Sequence, residues 1–139
     1  MKIEDTVSFI LANAGTAHRN LIEDQIRPLG LHSRQLFVLF ELWKQDGLRQ
    51  IDLAARLGVS AATVNKALGG LLESDFVTRV KYENDARSTR ICLTRKGRDV
   101  RPKVEAVWHQ IDRQTTGGLT DVEETMLRQL LPKLVVEII

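Results

Sequence analysis

The chain has 139 residues, 43% of them hydrophobic and 27% charged, with a formal net charge of +2. That length suits one domain with its own core, no apolar run approaches the 18 or so residues of a membrane span, and the single cysteine, Cys92, excludes an intramolecular disulfide. The charge is unevenly spread: residues 31–101 hold 13 Lys and Arg against 8 Asp and Glu, a balance of +5, and the rest of the chain carries −3. A positive middle segment is what a phosphate-facing surface needs.

The first predicted element is a long helix over residues 6–26. Val7, Ile10, Leu11, Ala14, Ala17, Leu21 and Ile22 recur at three- and four-residue spacing, Thr6 is its N-cap, and Pro28 and Gly30 end it. Residues 32–44 form a second helix with Leu36, Leu39, Phe40 and Trp43 on one side, closed by Gln45-Asp46-Gly47. Leu48 is a candidate for a short strand. Ile51, Leu53, Ala54 and Leu57 then predict a short helix stopped by Gly58, and Ser60 caps another whose buried face is Val64, Ala67, Leu68, Leu71 and Leu72. Two short helices joined by a tight glycine-containing turn form a helix-turn-helix.

The period then changes. Residues 76–82 and 89–93 are rich in β-branched and aromatic side chains and flank Glu-Asn-Asp-Ala-Arg-Ser, which predicts a hairpin. A helix-turn-helix followed by a basic hairpin is a winged helix. Thr94 caps the next helix, in which Gly97 is tolerated only at some cost and Val100, Val104, Val107, Trp108 and Ile111 form a narrow apolar seam. Thr115-Thr116-Gly117-Gly118 reads as a break. Thr120 and Glu123 form a capping box for a last helix carrying apolar residues from Val122 to Ile138, which Pro132 kinks or breaks.

The fold expected is therefore α+β, mostly α. It is a single domain over 1–139, with dimerisation helices at 1–30 and 100–139 and a winged helix-turn-helix lobe at 31–99. Long apolar helices at both ends suit a homodimer, whose two recognition helices would read a palindromic double-stranded site. On the recognition helix Ser60, Ala61, Thr63, Asn65 and Lys66 fall away from the apolar face. Its N-terminus can hold a phosphate, Asn65 can pair with adenine, and Lys66 can reach guanine or phosphate. Arg34, Arg49 and Gln50, near helix starts, are candidate phosphate contacts, and Arg79, Arg90 and Arg95 are candidate phosphate contacts or supports of the wing. Arg87 at the wing tip can enter an A·T-rich minor groove, with Asp85 holding the turn or orienting it.

The segments Asp85-Ala86-Arg87-Ser88 and Leu93-Thr94-Arg95-Lys96-Gly97 resemble the wing signature of the MarR (multiple antibiotic resistance regulator) family. Residues 53–60 with Thr63 and Val64 resemble its helix-turn-helix, and residues 31–39 the start of its second helix. The resemblance implies an obligate dimer that binds palindromic promoter DNA, usually represses, and often loses affinity when a small molecule such as an aromatic acid binds between its two parts. The chain departs from the pattern at Asp75, where a glycine is usual, at Gly69-Gly70 inside the recognition helix, and at His32, in place of a Thr or Ser cap. It has no cysteine in the first helix, where oxidant-sensing members carry theirs.

His18, Arg19 and Trp43 are the candidates for a pocket taking an anionic aromatic effector. The three histidines, His18, His32 and His109, share no metal-ligand spacing, and no cofactor is implied. No nucleophile–base pair, phosphate-binding glycine loop or HExxH occurs, so an enzyme is not expected. The N-terminal MKIEDTV lacks the basic start of a signal peptide, which predicts a cytoplasmic protein with no membrane contact. The alternatives are a winged-helix protein–protein adaptor with little DNA affinity and a metal-responsive regulator.

Overall fold

The computed structural model describes residues 1–81 and 89–134. Helix α1 spans Val7–Ile26, and Thr6 caps it by accepting from the Phe9 N–H at 3.2 Å. A 3-10 turn over Arg27–Leu29 follows and closes on Gly30, whose φ of 78° is left-handed. Helix α2 is Ser33–Lys44, α3 is Gln50–Leu57 and α4 is Ala61–Glu73. Strands β1 (Val77–Lys81) and β2 (Thr89–Leu93) pair antiparallel, from Val77 opposite Leu93 to Lys81 opposite Thr89. Helices α5 (Arg95–Asp99), α6 (Arg101–Thr116) and α7 (Asp121–Leu130) complete the order. The fold is thus mostly helical with one small sheet, as the sequence predicts.

Leu48 joins the wing, as the sequence suggests. It forms a bridge with Ile91, whose N–H donates to the Leu48 carbonyl at 2.7 Å. The core runs continuously from Ile22 and Ile26 of α1 through Leu36, Leu39 and Leu42 of α2, Leu53 of α3 and Val64, Leu68 and Leu71 of α4, on to Val104 and Ile111 of α6. Burying one such side chain contributes about 1.5–3 kcal/mol. An aromatic cluster ties α2 to α6: the Phe40 and Trp108 rings lie edge to face, 5.2 Å apart, and Phe37 and Trp43 flank them.

Several expectations are corrected. Ile51 is 68% exposed rather than part of the α3 face. At about 100° per residue it lies some 200° from Leu53, which takes the core side. Thr115 and Thr116 finish α6 instead of breaking it, their hydroxyls donating to the Ile111 and Asp112 carbonyls at 2.7 and 3.0 Å; the helix stops at Gly117. The helix expected after the wing is two, meeting at Val100 and restarting with Pro102 in its first turn. The break expected at Pro132 is present: α7 ends at Leu130, and Pro132 sits in a 3-10 turn over Leu131–Lys133. Tyr82 and the tail 135–139 fall outside the described residues.

Two departures from the family pattern have structural answers. Asp75 takes φ 64°, so an aspartate fills the left-handed position where glycine is usual. The Phe76 N–H donates back to the Leu71 carbonyl at 2.9 Å, closing α4 in a Schellman-type turn. A Cβ on Gly70 would come 2.2 Å from Gln35 Nε2, so that glycine lets α2 and α4 approach closely. Gly69 faces open space.

Candidate nucleic-acid interface

Helix α4 buries Val64, Ala67, Leu68 and Leu71. That leaves Ser60, Ala61, Asn65 and Lys66 exposed and Thr63 half-buried. Ser60 is committed locally: its Oγ accepts from the Thr63 N–H at 3.1 Å and shares a 2.9 Å hydrogen bond with the Thr63 hydroxyl. This cap satisfies one N–H at the helix start and leaves others facing outward, with the positive end of the helix dipole. Gln50, the first residue of α3, donates from Nε2 to Asn65 Oδ1 at 3.1 Å. The structure thereby couples two residues that the sequence offers separately.

The cations around this helix are not equivalent. Arg34 is exposed and, with His32, Gln35, Thr63, Lys66 and Ala67, lines an open groove of about 410 Å³ between the start of α2 and α4. The amides at the start of α2 are occupied: Ser33 N–H donates to Glu23 Oε1 at 2.8 Å and His32 N–H to Gln35 Oε1 at 3.0 Å. Burial works to raise the Glu23 pKa, but the Ser33 hydrogen bonds and the charge of His32 outweigh it, so the carboxyl is held below its ordinary range. Any anion held here therefore depends on the Arg34 and Lys66 side chains rather than on the α2 dipole.

Arg49 is bidentate to Asp52, with both hydrogen bonds at 3.1 Å. That hydrogen bonding raises the guanidinium's pKa and lowers the carboxylate's, and the charge of Arg90 adds to the latter. Arg49 is therefore a braced group at the start of α3. On the wing, Arg79 is exposed and pairs in register with Ile91, while Arg90 pairs with Val80. Directly opposed residues share a face of the ribbon and successive residues alternate, so Arg79 and Arg90 lie on opposite faces. Arg90 Nη1 reaches the Gly47 carbonyl at 3.5 Å, which anchors the wing to the loop after α2. Arg95 pairs with Asp99 at 3.7 Å. Asp85 and Arg87, the wing-tip candidates, lie outside the described residues.

The three effector candidates do not converge. His18 is half-buried and lines a cavity of about 240 Å³ with Trp108, Ile111, Leu127 and Leu131, beside the Arg128–Glu124 ion pair at 2.6 Å. Arg19 is exposed and donates to Thr16 Oγ1 at 3.4 Å. Trp43 belongs to the aromatic cluster, and its Nε1 donates to the Gly97 carbonyl at 2.9 Å. Sequence reasoning missed Arg128 and Glu124; their four-residue spacing signals an ion pair but not its place beside His18. Among the described residues no group of three or more His, Cys, Asp or Glu side chains is placed to hold a metal. None of their helices is long and apolar enough to cross a membrane.

Comparison with known proteins agrees with this geometry. Residues 31–89 match the model of the MarR family. The HTH-type transcriptional regulator TtmR of Methylorubrum extorquens is 32% identical over 120 residues, which are 86% of this chain and 57% of that protein's length. A probable transcriptional regulator from Pseudomonas aeruginosa superposes with a TM-score of 0.88 at 26% identity, covering 96% of this chain and all of the other. Bordetella bronchiseptica BpsR, in a structure described as the mechanism by which 6-hydroxynicotinic acid regulates its DNA binding, gives 0.87 at 24% identity, covering 96% and 97%. With its helix-turn-helix, its two-stranded wing and flanking helices in the same order, the chain belongs to the MarR family of winged-helix transcriptional regulators.

Proposed function

We propose that the protein is a homodimeric, sequence-specific DNA-binding regulator, most simply a repressor released by a small anionic aromatic molecule. One observation carries the DNA reading: Asn65 and Lys66 stand exposed on the outer face of α4 with Gln50 braced beside them, while Arg34 shares the Lys66 groove. Phosphate contacts fix the register of such a helix on the duplex, and amide and ammonium groups read base edges in the major groove.

A homodimer is supported by apolar side chains that one copy leaves uncovered. Val7 and Ile10 of α1 are 67% and 57% exposed, and Val122, Met126 and Leu130 of α7 are 69%, 52% and 51% exposed. Large apolar side chains left exposed at both chain ends are the kind of surface that marks an interface, and a second copy is its simplest cover. The effector site is the His18–Trp108 cavity, where an imidazole and an indole offer stacking and Arg128 would exchange its Glu124 partner for the anion.

The test is binding to duplex DNA from the region upstream of the protein's own gene, across salt concentrations. The logarithm of affinity should fall linearly with the logarithm of salt, with a slope of about −0.9 per phosphate neutralised. Salicylate, as a generic anionic aromatic, should weaken binding. A flat salt response would favour the protein–protein adaptor reading.

A further inference from the structure

We propose that Gln50 sets the base preference of the recognition helix by holding the Asn65 amide nitrogen-outward, so that Asn65 selects guanine rather than adenine. This rests on the DNA-binding reading above. An asparagine that reads adenine uses both ends of its amide at once: Oδ1 accepts from the base N6 and Nδ2 donates to N7. Here Oδ1 already accepts from Gln50 Nε2 at 3.1 Å and is turned toward α3. With Oδ1 held on the α3 side, the atom the amide presents to a base is Nδ2, which can only donate. Guanine offers that side two acceptors, N7 and O6, whereas adenine offers one acceptor and a donor that would face another donor.

The first turn of α3, from which Gln50 reaches Asn65, is itself braced. Gln50 is the first residue of α3 and half-buried, and the preceding residue, Arg49, is locked to Asp52 by two side-chain hydrogen bonds and by its own N–H, which donates to Asp52 Oδ2 at 3.1 Å. Asn65 is exposed, and among the described residues Gln50 is its side-chain partner. Lys66, the next residue and also exposed, adds a positive charge that guanine O6 accepts and adenine N6 does not. Gln50 is therefore a positioning residue: it acts on the base through Asn65.

The experiment selects duplexes from a randomised pool with the full chain, followed by competition between duplexes that differ at one base pair. Asn65→Ala identifies the position Asn65 reads, as the one at which preference disappears. At that position the unmodified protein should favour guanine over adenine by about tenfold, the order of one good side-chain–base pair. Gln50→Ala releases the amide, and the preference there should move to adenine while other positions hold theirs. Gln50→Glu places an acceptor beside Asn65, turns Oδ1 outward and should reject guanine in favour of bases that donate.

Adenine preference in the unmodified protein, or guanine preference that survives both Gln50 substitutions, overturns the inference and leaves DNA binding standing. No enrichment of any sequence, together with salt-independent binding, removes the DNA reading and this inference with it.

Discussion

Gly97 carries a substitution whose cost can be worked from distances. A Cβ at this position would lie 2.1 Å from the Phe76 carbonyl oxygen and 3.2 Å from both the Phe76 carbonyl carbon and Leu93 Cδ2. A carbon–oxygen contact needs about 3.3 Å, so Gly97→Ala must separate α5 from the wing base by about 1.2 Å. Neither side yields easily. The Phe76 oxygen accepts from the Thr94 N–H and hydroxyl, both at 3.1 Å, and the Gly97 carbonyl accepts from Trp43 Nε1 at 2.9 Å. Forcing a methyl group into a packed site costs about 1–3 kcal/mol, and each hydrogen bond lost about 1 kcal/mol more. The helical gain of alanine over glycine offsets at most about 1 kcal/mol, so the net loss is about 2–4 kcal/mol. Urea unfolding followed by circular dichroism at fixed protein concentration, with unchanged m-value, measures it. Gly69→Ala, in open space on α4, is the control and should gain about 0.5–1 kcal/mol. A Gly97→Ala protein within about 0.5 kcal/mol of the parent would refute the packing argument.

Asp75→Gly should stabilise the chain by about 0.5 kcal/mol, because the left-handed cost to an L residue exceeds the entropy glycine adds to the unfolded state. Asp75→Val should destabilise it, and a thermal midpoint unmoved by either would deny that the φ of 64° matters. The Glu23 carboxyl is held below its ordinary pKa of 4.5, so its contribution is full above that value and lost as pH falls through the lower folded one. The stability gap between the parent and Glu23→Gln should therefore be widest above about pH 5.5 and shrink below about pH 4; a gap constant from pH 6 to pH 3 would contradict the cap. Ile10→Asp and Leu130→Asp, on the exposed faces of α1 and α7, should each shift sedimentation toward monomer, and an undisturbed dimer would take that face out of the interface.

Most of the elements were legible because apolar periodicity and caps are local. Thr6, Ser60, Thr94 and Thr120 each accept from the backbone N–H three residues on, a pattern visible within four letters of sequence. Leu48 was legible for a related reason: a lone leucine between a glycine turn and a helix start has few places to go except a strand edge. Ile51 is close to Leu53 in sequence but not on its helix face, a distinction that apolar clustering alone does not carry. The exposed side of α4 followed from the position of its buried side. The partners of the exposed residues did not.

The missed pairings share a physical cause. Glu23 caps Ser33 from ten residues away, Gln50 reaches Asn65 across fifteen, and Trp43 meets Gly97 across fifty-four. Each depends on how two elements cross, which periodicity does not encode: it says which face is covered and not which residue of the covering element arrives there. Gly97 shows the consequence. Judged within its own helix it is only a poor helix former. Its lack of a side chain instead answers to Phe76 and its carbonyl to Trp43, so one position joins the wing to α2. The glycine that ends the Leu-Thr-x-x-Gly wing motif is thus a requirement of packing between elements, and the same reasoning pairs Gln50, which its own helix offers only as a phosphate contact, with Asn65.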